Sequence, residues 1–472
     1  MQTTVRRIEE TLSKKEGCPG SYLELLFDQG TFVNLTAMPI GLIAGYGKIE
    51  HRLVFAYIQD CTVEDSLFDE SYTKKLCNQL AMAIQTRCPI ICISSLSDAV
   101  TSRSANNMNG YGKLLYQHIL ASGVVPQISV ILNSCTGSAV YSPALTDFVY
   151  MVQDTSSMFL SSPASIKAIT GETITSEQLG GSITHNASSG SAHFSSPTQE
   201  DSSFQIRRLL SFLPSSNLED APSKPSQDSA LRLIPELSSL LPEDIDSPYD
   251  MKQLIELTAD DRQFYEIQAL YARNLIVGFA RFHGQSVGII ANQPLTIGGC
   301  LDINASDKAS RFIRFCDAFN LPLVTFVDVP GFLPDTSQEY KGIIRHSTKI
   351  LYAYTEATVP KISILIRKAY GAAYLALCSK ELGADLVLAW PSARIAIKEP
   401  AGSSTVLFRK KPEKDHVTGK DNAESATQES IFACADQIIS PPTTRIHIIQ
   451  TLNMLTAKRE SRPHKKHGNI PL

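Results

Sequence analysis

Long apolar runs, an excess of charge of either sign and a complete cysteine set at metal spacing are all missing from this 472-residue chain. No stretch approaches the roughly 18 uninterrupted apolar residues that span a bilayer. The N-terminus MQTTVRRIEETLSKKEG is charged and amphipathic, without the apolar core of a secretory leader, so the expectation is a cytoplasmic protein. Lys+Arg number 43 and Asp+Glu 47, a net charge of −4, which leaves no broad basic surface for nucleic acid or anionic lipid. Charged residues make up only 19%, below the roughly 25% usual for soluble domains, and this points to surface covered by other subunits. The ten cysteines are sparse, and Cys92 in PIICIS and Cys316 in FIRFCDAF sit inside apolar runs, the pattern of buried reduced thiols. Cys88 and Cys92 have no second pair to complete a tetrahedral set, so no metal is expected. A Gly-x-Ser-x-Gly elbow, a Walker phosphate loop and a His-Glu-x-x-His helix are also absent. His185, His193 and His346 stand in polar surroundings and read as surface or capping residues. An enzyme built this way works by backbone electrostatics.

What is present is a repeat. VVPQISVILNSCTGSAVYSPAL over Val124–Leu145 aligns with TVPKISILIRKAYGAAYLALCS over Thr358–Ser379, with Pro126 on Pro360 and Gly137 on Gly371 at an offset of 234. Upstream, RCPIICIS aligns with LPLVTFVD, Pro89 on Pro322, and GKLLY at Gly112–Tyr116 aligns with TKILY at Thr348–Tyr352. Four anchors in the same order mean two homologous domains, expected at 1–232 and 233–472. Each repeats one grammar: an amphipathic helix (KKLCNQLAMAIQT; RFIRFCDAFN), a strand after proline, a polar loop, a helix, a second apolar strand, and a small-residue turn opening a helix. That predicts α/β domains with largely parallel pairing, in which ISVIL and ISILI are strands covered on both faces. His185–Asp250 is rich in Ser and Pro and reads as a linker holding one helix at FQIRRLLSFL; Arg409–Ser430 reads as a polar surface excursion.

The duplicated turn is where chemistry is possible. Gly137-Ser138-Ala139 and Gly371-Ala372-Ala373 each follow a buried strand. Backbone N–H groups at a helix start lack intrahelical acceptors, and small side chains let a carbonyl approach them. Two such donors form an oxyanion hole, each typically worth about 3 kcal/mol. The same small residues equally serve close helix–strand packing, and residues alone leave both roles open. Asp328 in FVDVPGF follows a buried strand, where function and loop capping are both open.

With these residues assembled, a resemblance emerges. NQPLTIGGCLDINASDKASRFIRFCDAFNLPLVTFVDVPGFLPDTSQEYKGIIRHSTKILYAYTEATVPKISILIRKAYGAAY over Asn292–Tyr374 resembles the carboxyltransferase (beta) subunit of biotin-dependent acyl-CoA carboxylases, propionyl-CoA branch. GYGKIEHRLVFAYIQD, SGVVPQIS…GSAVYSPALTDF and RPHKKHGNIPL extend the match over nearly the whole chain. The resemblance implies an α/β fold of tandem crotonase-like domains (the ClpP/crotonase superfamily, a duplicated ββα spiral) assembled in a ring, commonly a hexamer. It implies partners carrying biotin carboxylase and the biotin carboxyl carrier. Biotin is then the cofactor, held on the partner, coenzyme A is the substrate moiety, and no metal is needed. The acyl-CoA lies on the N-terminal domain and carboxybiotin on the C-terminal one, with biotin itself as the base. The implied catalytic residues are Gly137, Ser138 and Ala139 for the thioester enolate, and Gly371, Ala372 and Ala373 for the ureido oxygen. Ala99, Tyr141, Tyr374 and Leu375 would contact substrate, and Gly331, Phe332 and Gly371 the biotin.

The match fails at loops. Ser138 and Ala372 replace the second glycine of the usual Gly-Gly-Ala. Leu96-Ser97-Asp98-Ala99-Val100 stands for Ser-Gly-Gly-Ala-Arg, Asp65-Ser66 for a Gly-Gly, and Lys398-Glu399-Pro400-Ala401-Gly402-Ser403 for a glycine-rich turn. Leu375 stands where an Asp is frequent. Two readings follow: an active carboxyltransferase with altered substrate, and an impaired paralogue acting as a structural or regulatory subunit of the same complex. A crotonase-type hydratase needs positioned carboxylic acids that the motifs do not offer, and a zinc-ribbon carboxyltransferase needs Cys-x-x-Cys pairs.

Overall fold

The computed structural model of the protein describes residues 19–36, 41–60, 70–95, 108–396 and 434–471. The chain divides into two compact units, Met1–Glu219 and Asp220–Leu472. In unit 1, β1 (Val33–Asn34), β2 (Leu42–Ile49) and β3 (Arg52–Asp60) pair antiparallel. Helix α1 (Glu70–Thr86) then crosses to β4 (Ile90–Ser95), and α2 (Met108–Ala121) to β5 (Gln127–Ile131), both in parallel pairing. Short β6 (Ser134–Thr136) leads through a 3₁₀ turn, Gly137–Val140, into α3 (Tyr141–Ala144). β7 (Phe148–Val152) and β9 (Phe194–Ser196) complete the seven-stranded order β1-β2-β3-β4-β5-β7-β9, while β8 (Ser157–Phe159) pairs with β6 in a small second sheet. The apolar stripe of α1, Tyr72, Leu76, Leu80 and Ala83, recurs at helical spacing and packs with Ile90, Cys92 and Val149 of the sheet.

Unit 2 repeats the plan. β10 (Phe264–Ile267), β11 (Leu275–Phe282) and β12 (Gln285–Asn292) are antiparallel. After α5 (Ile303–Ala318) comes β13 (Leu323–Val329), and after α6 (Ile343–Glu356) comes β14 (Lys361–Tyr370), each paired in parallel. Helix α7 (Gly371–Ala376) follows β14 directly; β15 (Leu386–Ala389), β16 (Arg394–Ala396) and β17 (Gln437–Ile438) extend the sheet as β10-β11-β12-β13-β14-β15-β17, with β16 also on β14. The 234-residue offset therefore superposes β5 on the first half of β14, and the two small-residue turns on each other.

The pairing is largely parallel, as expected, and each unit begins its parallel run with an antiparallel hairpin. Both hairpins close through two residues at positive φ: Glu50 (47°) and His51 (66°), His283 (50°) and Gly284 (85°), the geometry of a type I′ turn. Glu-His carries no turn signature, and a tertiary contact supplies what the sequence lacks. The Asp28 carboxylate accepts from the N–H groups of Glu50 (3.3 Å) and His51 (3.1 Å), and is held by Arg207 at 2.7 Å. In unit 2, Asp260 accepts from His283 (2.9 Å) and Gly284 (2.7 Å) and is held by Arg445 at 2.5 Å. The repeat thus preserves an Asp–Arg clamp on each hairpin.

The Ser/Pro-rich stretch from 185 to 250 is not a simple linker. Its first part is built into unit 1 as β9 and helix α4 (Gln199–Leu210), with Ile206, Leu209 and Leu210 buried, and the helix supplies Arg207 of the clamp. Serines here satisfy backbone ends rather than mark flexibility: Thr198 caps α4, and Ser202 accepts or donates to buried Tyr22 at 2.8 Å. The N-terminal amphipathic segment, Asp65-Ser66, the loop of Ala99, and the stretches 398–403 and 409–430 lie outside the described residues. Six of the eight described cysteines are buried and all eight are unbridged, and among the described residues no helix is long and apolar enough to cross a membrane.

Candidate active site

The two small-residue turns share one geometry. Gly137 has φ +62° and Gly371 φ +57°, a left-handed conformation that L side chains adopt at a cost. The next residue is exposed in both cases, Ser138 and Ala372, and the third is buried, Ala139 and Ala373. The residues before the glycines, Thr136 and Tyr370, are extended and give no side-chain cap. Each turn therefore presents the uncapped N–H groups of a helix start, behind an exposed, short side chain. A Cβ built on Gly137 meets nothing within 4 Å, so the space before this turn is open. Neither Ser138 nor Ala372 is at positive φ. The conformational freedom of glycine is thus not required at either position.

Residues around the turns follow the repeat. Tyr141 and Leu375, four positions after the glycines, are 47% and 45% exposed. Tyr374 is buried, and burial foremost pushes its hydroxyl well above the usual phenol range. Gly331 and Phe332 follow β13 at the level where Gly371 follows β14, since Val329 and Ala369 are register partners. They are half-buried and pinned by Leu301, whose N–H donates to the Gly331 carbonyl at 3.0 Å and whose carbonyl accepts from Leu333 at 2.8 Å. Nothing lies within 4 Å of a Cβ built on Gly331. Ala99 is outside the described residues.

Behind the first turn is a narrow pocket lined by Tyr57, Ser94, Cys135, Ala139 and Ser142 among others. Burial pushes the thiols of Cys92 and Cys135 up to about 12, so neither is a thiolate at neutral pH. A buried relay sequence reasoning missed supports the turn from below. Gln127 Nε2 donates to the His118 carbonyl at 3.0 Å, which leaves its Oε1 to accept from His118 Nδ1–H at 2.8 Å. His118 Nε2 is then the acceptor for the Ser142 hydroxyl, also at 2.8 Å. Burial, only partly opposed by the Gln127 bond, lowers the His118 pKa below its ordinary value. The one sequence signal was a long polar residue, Gln127, opening a largely apolar strand. His193 is likewise buried, accepting from Val149 N–H at 3.1 Å, rather than a surface residue. His185 braces the Met158 carbonyl of β8, and His346 pairs with Asp307 at 2.9 Å. Asp328 is buried against Arg367 at 3.1 Å. No group of His, Cys, Asp and Glu among the described residues is arranged to hold a metal ion.

The Carboxyl transferase domain family matches residues 2–470. The chain belongs to the carboxyl transferase family. This carboxyltransferase is 49% identical over 485 residues to the methylmalonyl-CoA decarboxylase subunit alpha of Veillonella parvula, covering 99% of the chain and 95% of that relative. It is 41% identical over 489 residues to the propionyl-CoA carboxylase beta chain of Cereibacter sphaeroides, covering 99% and 96%. A solved structure of transcarboxylase 12S, described as a hexamer assembly with hydrolysed methylmalonyl-coenzyme A bound, superposes with a TM-score of 0.89 at 40% identity, covering 99% and 95%. The two α/β units are accordingly tandem crotonase-like domains, and the carboxyltransferase is an enzyme of that class.

Proposed function

We propose that this chain moves a carboxyl group between the α-carbon of a short acyl-CoA, the propionyl/methylmalonyl pair, and biotin carried on a separate partner. The observation that carries the reading is the shared geometry of the two turns: left-handed glycine, exposed second residue, buried third, uncapped helix start. Gly137, Ser138 and Ala139 would direct N–H groups at the thioester oxygen as negative charge builds there. Gly371, Ala372 and Ala373 would do the same for the ureido oxygen, with Gly331 and Phe332 at the neighbouring strand end. The donor set fits biotin, whose ureido oxygen is an acceptor and needs no charged partner. Biotin, when bound, supplies the nitrogen that carries the carboxyl group and the base for the α-proton. The chain's own part is to hold each oxygen and keep the two reacting groups oriented.

Relatives bear names for opposite directions, a decarboxylase and a carboxylase. One stabilised enolate serves both, since forward and reverse transfer cross the same transition state. The impaired-paralogue reading is weakened at one point: Ser138 and Ala372, which replace two of the family's glycines, are not at positive φ. We further propose a cytoplasmic ring of copies, commonly six, joined by a biotin-bearing partner, as the low charge content fits. The test supplies purified chain with methylmalonyl-CoA labelled in its free carboxyl group and a biotinylated carrier. Label moving to the carrier, and back to propionyl-CoA, is expected; no transfer above a protein-free control in either direction overturns the reading.

A further inference from the structure

Strand β14 changes partner midway. Through Leu365 it pairs with β13 and β15; from Lys368 it pairs with β16, and β13 rejoins it only at Val329 opposite Ala369. One residue of β13, Asp328, therefore faces Ile366, Arg367 and Lys368 of β14. Such a bulge bends a strand and leaves ladder groups unpaired, and bulges concentrate beside active sites. Here side chains take up the freed groups. Ser392 Oγ donates to the Ile366 carbonyl at 2.7 Å, and the Lys368 N–H donates to Asp328 Oδ1 at 2.9 Å. Asp328 Oδ2 accepts from Arg367 Nε at 3.1 Å; that guanidinium lies 4.9 Å over the Tyr249 ring and donates to the Ser247 carbonyl at 2.9 Å. Gly371 stands three residues beyond Lys368.

Unit 1 has the same joint with weaker chemistry. There β5 stops at Ile131 and β6 resumes at Ser134. Asn133, at the offset position of Arg367, donates to Ser95 Oγ at 3.0 Å, and Ser95 aligns with Asp328. A buried ion pair adds little net stability over an apolar pair, so its location at this joint points to geometry.

We propose that Asp328 is a positioning residue for the second turn: by accepting the Lys368 N–H freed by the bulge, it sets the direction in which β14 enters Gly371–Ala373, while Arg367 holds its other oxygen. The proposal rests on the reading of that turn as the donor site for biotin. Two double variants of the full chain, both without the ion pair, compare an oxygen at position 328 with none. D328N/R367M keeps an oxygen opposite Lys368 N–H, and D328A/R367M removes it. Amide hydrogen exchange over 366–376 is measured together with kcat and KM for carboxyl transfer. D328N/R367M stays within about 5-fold of wild type in both. D328A/R367M loses exchange protection in that segment and about 100-fold in kcat, the scale of one lost oxyanion donor, with KM for acyl-CoA and exchange over 137–144 unchanged. Equal exchange and equal kinetics in the two variants overturn the proposal. As an arm that keeps the charge, D328E displaces the carboxylate by one methylene and lowers kcat about tenfold at constant KM for acyl-CoA, by the same loss of alignment; an unchanged kcat overturns it. Altered exchange in D328A/R367M alongside a wild type that transfers nothing leaves Asp328 as the positioner and removes the biotin reading.

Discussion

Replacing the two left-handed glycines and restoring the two missing ones should have opposite consequences. In Gly137→Ala the new Cβ meets nothing within 4 Å, so there is no clash, and the cost is that of holding an L residue at φ +62°, about 1–2 kcal/mol. A turn that relaxes to escape this rotates the N–H groups of Ser138 and Ala139 away. Losing one donor costs about 3 kcal/mol, on the order of 10²–10³ in kcat. Gly371→Ala, at φ +57°, should behave alike. Ser138→Gly combined with Ala372→Gly should leave kcat within about 3-fold, because neither residue is at positive φ and both are exposed, so a glycine adds only backbone freedom, up to about 1 kcal/mol of stability lost per site. The assay is carboxyl exchange at saturating acyl-CoA, with kcat and KM separated and thermal melting in parallel. A rise in kcat above about tenfold on restoring the glycines, or an unchanged kcat in both alanine variants, would refute the reasoning.

Asp260→Ala should cost about 3 kcal/mol, because it leaves the fully buried Arg445 with only the more distant Asp228 carboxylate at 3.7 Å; Asp28→Ala should cost about 1–2 kcal/mol, as Arg207 is 27% exposed and regains water. Urea melts of both variants decide this, and an equal loss would count against the argument. The single tryptophan, Trp390, is buried in unit 2 and donates to Thr444 Oγ1 at 2.9 Å, so its emission reports unit 2. Thr444→Val should lower stability by about 1–3 kcal/mol through the unpaired indole N–H, seen as an earlier emission midpoint. His118 has a folded pKa below its ordinary 6.5, so the unfolded chain takes up the proton first as pH falls. The stability this contributes is complete above about 6.5 and is lost below it. His118→Gln should flatten the fall in melting temperature between about pH 7 and about pH 5; an identical slope would show that the ring titrates equally in both states.

The elements most legible in the sequence were those set by local pattern. ISVIL and ISILI became β5 and the first half of β14, wholly buried as their unbroken apolar composition required. The turns at Gly137 and Gly371 were found as a repeat, and both proved to need glycine. In the segment after His185 the helix at FQIRRLLSFL was legible, but its packing into unit 1 was not, because Ser and Pro composition describes a loop only when nothing packs on it. Ser202 and Thr198 instead satisfy buried or helix-end groups, and the apolar face of α4 anchors the segment. The antiparallel hairpin that opens unit 1 was not legible because Glu50-His51 has no turn chemistry of its own.

What the sequence alone determined is the duplicated strand–turn–helix order and the family, since periodicity, prolines and glycines act within a few residues of where they stand. Which polar residues hold that order in place was decided only by the tertiary structure. Asp28 meets Arg207 across 179 residues of chain and Asp260 meets Arg445 across 185, while Asp328 meets the freed N–H of Lys368 across 40. The demand for each of these partners is created by the fold itself, where a hairpin or a bulge leaves backbone groups buried without ladder mates, and no local pattern announces it beforehand.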